Sequence, residues 1–467
     1  MNLKIFQDLP CVDEAKTVNA LDTSFLYEEL RREYMANHKI IDVDFRQMIS
    51  WLKGGDQLTH QIHPYPAKLL PQIAHFFCRA SILQDPNGIL LDPFSGSGTV
   101  ALEASVAGIK PYVADANPFA LMLTRVKTNA YNVEELRLYL DILRRTSARY
   151  RSAPSIEVVN SHIWYHKELK ISLERILRAI REVEQQSIQE FFLVCFSVLA
   201  RKLSLADPRV SVPVRQKTKV GLSNLANAAI QARFRWLDEV SPFDEFVKIC
   251  CSNIDRVNLA NTAAVSRPTT VELGNDARNL KIMKNNLEIS LPNASVGLMI
   301  TSPPYGSAQK YVRASSLTLN WLGLAGPKDL SNLEQQSIGR EHLSEKELLS
   351  LEKIPKKYQS QLIRISQKNM LRAKLAATYM REMKSVVAEL ARVSISGGRN
   401  VIIIGNNRVC GEIIENDRFM QECFEANGMS TELVLRDSIR ARGLMTTRNG
   451  AAPAIAHETI LVFRKGS

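Results

Sequence analysis

The segment "GILLDPFSGSGTVALEASVAG", residues 88–108, limits most narrowly what this chain can fold into. An apolar run of strand length passes through a glycine-rich turn directly into a helix-forming run. "KPYVADANPFALMLTRVKTNA", residues 110–130, repeats strand, loop and helix. Two such units in succession imply an α/β fold with a parallel, doubly wound sheet.

The remaining segments divide around that unit. Residues 1–55 read as a helix-leaning lead-in, and 56–130 as the half of the sheet that carries the glycine turn. Residues 131–265 carry apolar positions at i, i+3 and i+4, as in "LERILRAIREVEQQSIQEFFLVCFSVLARKLS", and read as a helical insertion. The sheet resumes over 266–305, ending in the buried strand "VGLMI". A second helical insertion spans 306–370, and 371–467 completes the sheet with "NVIIIGNN" and "ETILVFRK".

Composition narrows the class. The chain has 467 residues, 45% of them hydrophobic and 23% charged, as in a globular protein of more than one structural unit. No run of about 18 apolar residues suited to crossing a membrane is present, and the N-terminal residues lack a secretory pattern. Seven cysteines without a C-x-x-C pair, and eight histidines without metal spacing, point to reduced thiols, no metal and a cytoplasmic setting. A net charge of +12 is compatible with a nucleic-acid partner but does not select one.

The glycine turn is the first chemical signal. Gly96 and Gly98 let the backbone turn tightly and approach a ligand, Thr99 stands near the start of the following helix, and Asp92, Pro93 and Phe94 lead into the turn. The pattern is not G-x-x-x-x-G-K-[ST], so it is not a phosphate loop for ATP. Asp115, at the end of the next strand, is placed to accept hydrogen bonds from ribose hydroxyls; capping the next helix is the competing role. Asp276 in "LGNDARNL" is a candidate for an adenine amino group or, equally, for a turn.

The second signal is "ITSPPYGSAQKY", residues 300–311. Two prolines end the strand stiffly. An exocyclic amine on a nucleobase is a poor nucleophile, because its lone pair is delocalised into the ring. Two acceptors around it, the Ser302 hydroxyl and the Pro303 carbonyl, would favour a pyramidal nitrogen able to attack a methyl group, with Pro304 stiffening the turn. The Tyr305 ring could stack on the base, worth about 1–3 kcal/mol. Such a site works by positioning and electrostatics and needs no covalent nucleophile.

Taken together, "DPFSGSGT" and "TSPPY" resemble the cofactor and catalytic motifs of the S-adenosylmethionine-dependent DNA amino-methyltransferases, which modify cytosine N4 or adenine N6. "DANP" is similar to that family's acidic position, with Asp115 and Asn117, and "AHETILVFRK" to its closing strand. "HPYPAKLLPQI", containing His63, Pro66 and Lys68, resembles the segment holding the methionine end of the cofactor. The motifs cover about half the chain. The resemblance implies a Rossmann-like methyltransferase sheet, S-adenosylmethionine as methyl donor, and double-stranded DNA as substrate with its target base flipped out. It also implies a restriction-modification setting, in which a cognate restriction endonuclease is a partner. Serine at the first position of the tetrapeptide goes more usually with cytosine N4, and aspartate or asparagine with adenine N6. The motif order, cofactor before catalytic, runs opposite to many members with SPPY. Three alternatives stay open: an adenine-N6 enzyme, an RNA guanine-N2 enzyme, and a non-catalytic DNA-binding relative. Either helical insertion could supply the surface that reads DNA; Arg440, Arg442 and Arg448 are further candidates for phosphate contact or for a loop near the cofactor, and Trp236 and Trp321 read as core or interface.

Overall fold

The computed structural model describes residues 21–50, 58–264, 266–306, 310–343, 347–439 and 457–466; Arg440, Arg442 and Arg448 lie outside them. Ten of its strands are named in chain order: β1 (Ile41–Val43), β2 (Ile89–Asp92), β3 (Lys110–Val113), β4 (Val271–Glu272), β5 (Lys281–Lys284), β6 (Leu287–Ser290), β7 (Val296–Thr301), β8 (Ser394–Ile404), β9 (Asn407–Val409) and β10 (Glu412–Ile414). They are followed by β11 (Met429–Ser438) and β12 (His457–Lys465).

Eight strands form one sheet in the order β1-β11-β12-β8-β7-β2-β3-β4. From β8 to β4 every pairing is parallel, while β12 runs antiparallel to both β8 and β11. The fold is therefore the Rossmann-like α/β sheet expected, with one antiparallel strand, β12, inserted between β8 and β11. The chain proceeds from β2 outward to β3 and β4, then crosses to β7 on the other side of β2. That reversal creates a switch point between β2 and β7, and in open α/β sheets ligands bind outside the carboxyl ends of the strands at such a point. Both strands are apolar without alternation because helices cover both faces: all six residues of β7 are buried.

The lead-in is less purely helical than expected. After the helix Ser24–Asn37 it contributes β1, which pairs parallel with β11 at Ile41↔Leu435. The resumption of the sheet also contains the hairpin β5–β6, whose two-residue turn, Asn285–Asn286, has positive φ at both positions.

The insertion between β3 and β4 is helical throughout its regular elements, with helices Val133–Arg149, Lys167–Arg181, Gln186–Lys202, Asn224–Glu239 and Pro242–Ala263. Side chains at their N-caps satisfy the first free N–H groups: Asn132 accepts from Glu134 and Glu135, and Ser241 accepts from Asp244 ahead of Pro242 at the first helical position. These helices have their own apolar core, separate from that of the sheet. The segment after β7 is divided between the two cores. Helix Tyr311–Leu322 packs into the insertion's core through Val312, Leu317, Leu319 and Trp321, whereas helix Lys356–Lys368 packs on Met370–Val393 against the sheet. Trp321 is fully buried, and its indole N–H donates to the Tyr165 hydroxyl at 2.9 Å; Trp236 is partly buried against the same core. Among the described residues no helix is long and apolar enough to cross a membrane.

Candidate active site

The carboxyl ends of β2, β3, β4 and β7 open into one cleft of about 910 Å³, its solvent-open mouth included. Its walls include Asp92, Pro93, Phe94, Gly96 and Thr99 after β2, Asp115 and Asn117 after β3, Asp276 after β4, and Ser302 and Pro304 after β7. Ten of the sequence-selected residues, drawn from four separate segments, thus meet at the switch point.

The glycine turn and the acidic strand end are joined by Asp115. Its carboxylate accepts from the Gly96 N–H at 2.7 Å and from the Asn117 N–H at 2.8 Å. The cap of helix Pro118–Thr128 is Asn117, whose side-chain oxygen accepts from the Phe119 N–H at 3.1 Å. Asp115 is therefore released from the capping role and presents its remaining acceptor capacity to the cleft. Asn117 also donates to the Tyr65 and Ser315 hydroxyls, both at 3.1 Å, fixing the wall opposite.

Gly96 and Gly98 both have positive φ, +51° and +71°. The reason for glycine differs between them. At Gly98 a Cβ would stand 2.7 Å from the Thr124 hydroxyl and 3.1 Å from the Thr124 Cα, so the close approach is to the neighbouring helix and not to a ligand, and Gly98 lies off the cleft wall. Gly96 is on the wall.

The catalytic and cofactor strand ends are tied together. The Thr301 hydroxyl, last in β7, donates to the Asp92 carboxylate, last in β2, at 2.6 Å. Burial pushes the Asp92 carboxyl up to about 7, against the lowering effect of the Thr301 and Phe94 bonds. Burial likewise raises Asp115 to about 6, opposed by its two backbone donors. An ionised Asp115 is the better acceptor, so a ligand bound through it is held more weakly once that group is protonated. We expect the affinity for a ribose-containing ligand, followed by equilibrium binding between pH 5 and 8, to fall as the pH drops through about 6. Stability responds in the opposite sense. The fold holds this proton more tightly than an unfolded chain does, so ionising Asp115 costs stability as the pH rises from 3.8 to about 6.

The other selected residues sit away from the wall. In the 63–71 segment it is Tyr65, Ala67 and Leu69 that face the cleft. Pro66 and Lys68 are off the wall, the chain bending at Ala67, whose φ is +51°, and the Lys68 ammonium donates to the His60 carbonyl at 2.9 Å. His63 is buried edge-on against Phe119, with ring centroids 4.7 Å apart. Pro303 is buried behind the strand end. Tyr305, expected to stack on a base, lies behind Ser302: its hydroxyl is 3.1 Å from the Ser302 hydroxyl and donates to Glu458 at 2.9 Å. Asp276 is on the wall, but its carboxylate is engaged by the Arg278 guanidinium at 2.8 and 3.0 Å and by the Arg278 N–H at 2.9 Å. This favours its turn role over contact with adenine.

Sequence reasoning missed several wall residues. Tyr65 stood between two selected residues of "HPYP", and Tyr311 closed the very stretch that drew attention to Ser302. Gln336, Ser337 and Ile338 come from the second insertion, and no local motif marks them. Gly339 comes next with a positive φ of +78°, and a Cβ there would lie 2.5 Å from the Gly306 carbonyl oxygen. This close approach seats the insertion on the SPPY loop. Outside the cleft, Glu334, Glu341 and His342 place possible metal-ligand atoms within 4.8 Å of one another.

A family model described as UPF0020, the RMKL-like methyltransferase domain, matches residues 61–156, which include the glycine turn and Asp115. The type II methyltransferase M.MvaI of Kocuria varians is 28% identical over 301 residues, covering 60% of this chain and 61% of its own length. The type II methyltransferase M.MjaII of Methanocaldococcus jannaschii is 27% identical over 151 residues, covering 31% of this chain and 28% of its own. The chain thus spans less than two thirds of the length of these curated relatives. Among solved structures, a Thermus thermophilus protein assigned as a DNA modification methylase, complexed with S-adenosylmethionine, matches at 18% identity with a TM-score of 0.20, covering 38% of this chain and 50% of that one. A likeness that loose says nothing about the substrate of this chain.

Proposed function

We propose that the chain is an S-adenosylmethionine-dependent methyltransferase that modifies an exocyclic amino group in DNA, namely cytosine N4 at a specific site, with the target base flipped out of the duplex. The observation that carries this reading is the meeting of Ser302 and Asp115 on the walls of one switch-point cleft, with Thr301 bonded to Asp92 between them. Similarity to two type II methyltransferases and to a methyltransferase family model over the cofactor segment supports it.

The residues present fit the cofactor. Asp115, fixed by two N–H groups, offers acceptors to a ribose, and its charge, with that of Asp92 when ionised, suits a cationic sulfonium, the third wall aspartate, Asp276, being paired with Arg278. Bound there, S-adenosylmethionine supplies a methyl group on a positively charged sulfur. Ser302, on the cleft wall, would accept an N–H bond of the target amine and turn its lone pair towards the methyl carbon, while Pro303, buried off the wall, stiffens the turn that aims it. Transfer would form the N–C bond as the donor's C–S bond breaks with its electron pair left on sulfur, and one N–H proton would pass to solvent. Extracting the base costs a few kcal/mol, which phosphate contacts of this +12 chain would offset. Serine at 302, where an adenine-N6 enzyme more usually has aspartate or asparagine, favours cytosine over adenine. A restriction-modification role with a cognate endonuclease belongs to the same reading.

The test is transfer of labelled methyl groups from S-adenosylmethionine to duplex DNA and, separately, to RNA. Label is expected in the DNA. Label in RNA alone would overturn the DNA reading, and label in neither would overturn the enzyme reading.

A further inference from the structure

Ser302 must act as an acceptor towards an amine, yet a hydroxyl carries its own proton and could equally present it to the cleft. The structure contains a device that decides this. The Tyr305 hydroxyl stands between two oxygens: it donates to the Glu458 carboxylate at 2.9 Å and lies 3.1 Å from the Ser302 hydroxyl. A phenol has one proton. With that proton given to Glu458, the contact between Tyr305 and Ser302 can be made only by the serine proton. Ser302 then donates backwards to Tyr305, and its lone pairs are left towards the cleft that it lines.

We infer that Glu458 is a positioning residue that fixes, through Tyr305, the direction of the Ser302 hydroxyl so that it meets the target amine as an acceptor. This rests on the methyltransferase reading above and deepens it. The chain of three side chains, from β12 to the loop after β7, carries it.

The surroundings hold the device in one state. Glu458 is half-buried in β12, directly opposite Asp437 of β11 in the strand register. Four charged or titratable groups face it: Tyr305 donates to it, Arg46 of helix Phe45–Met48 favours its ionised form, Asp437 opposes that form, and its charge is felt at Tyr311. Burial, ahead of these, holds its carboxyl above the ordinary range. Burial, with the Glu458 charge next, pushes the Tyr305 phenol well above its usual value, so Tyr305 stays a donor throughout the working pH range. Protonating Glu458, or replacing it by glutamine, provides an N–H or O–H that can be offered to the Tyr305 oxygen. The phenol proton is then free to turn to Ser302, whose own proton faces the amine. The polarity of the site is reversed while its shape is kept.

The experiment measures kcat and KM for both substrates across pH for the wild type, Glu458→Gln, Tyr305→Phe and the double variant. Tyr305→Phe keeps the ring and removes only the hydroxyl. Each single substitution is expected to lower kcat by about 10- to 100-fold, the effect seen when a partner that orients an active group is lost. KM for S-adenosylmethionine should be unchanged. The double variant should be no worse than the poorer single one, because both break the same chain. Wild-type kcat should fall on the acid side as Glu458 protonates, at a pH above the ordinary carboxylate range, and Glu458→Gln should lose that limb. Wild-type kcat and pH profile in both single variants, or additive losses in the double, would overturn the inference while leaving the methyltransferase reading intact. If Glu458→Gln does not fold, Tyr305→Phe with a wild-type kcat overturns it alone. A wild-type protein that transfers no methyl group overturns the underlying reading instead.

Discussion

Ser302→Ala lowers kcat for methyl transfer by about 10²- to 10³-fold, the cost of removing one preorganised polar group from a reacting centre. The cofactor should still bind, because the Asp115–Gly96 contact and the Thr301–Asp92 bond do not involve the serine side chain. Ser302 is part-exposed at the cleft, so its truncation leaves no large cavity and the fold should keep its stability. Single-turnover transfer alongside equilibrium binding of S-adenosylmethionine separates the two quantities. A variant that loses cofactor affinity and rate together would place Ser302 in binding and not in the chemistry.

Asp115→Ala produces the converse pattern. Two backbone N–H groups, of Gly96 and Asn117, lose their acceptor, and the ribose loses its anchor. Hydrogen bonds to a charged group contribute about 1.5–3 kcal/mol each. Loss of one such bond to the ligand, with loosening of the glycine turn, should weaken S-adenosylmethionine binding by about 100-fold. Asp115→Asn keeps an acceptor and should lose about tenfold. Calorimetric titration checks both, and an alanine variant with wild-type affinity would remove Asp115 from the cofactor site.

The parts legible in the sequence were those in which chemistry is written into neighbouring residues. The glycine turn and the strands on either side of it announce a parallel sheet, because a short apolar run that breaks at glycine and continues as a helix has few other solutions. Asp115 and Ser302 were identifiable because each follows closely on the carboxyl end of a strand of that sheet, β3 ending at Val113 and β7 at Thr301, where ligands bind in such folds. The sides on which His63, Pro66 and Lys68 fall were not legible, since an irregular segment shows no period until its direction is known. Gly98 was selected for the right property and the wrong neighbour, Thr124 of the next helix. Glu458 is 153 positions from Tyr305, and only the antiparallel insertion of β12 beside β8 brings them together. The division of the 306–370 segment between two cores is likewise a long-range outcome: Trp321 finds Tyr165, far back in the first insertion.

The central claim, transfer of a methyl group to an amino nitrogen of a DNA base, is tested most directly by the identity of the product. Duplex DNA modified by the purified protein with labelled S-adenosylmethionine is digested to nucleosides and separated by chromatography with mass detection. The account predicts label in N4-methylcytosine, eliminated by Ser302→Ala. Label in a ring-carbon product such as 5-methylcytosine, or no label in any nucleoside, would contradict it.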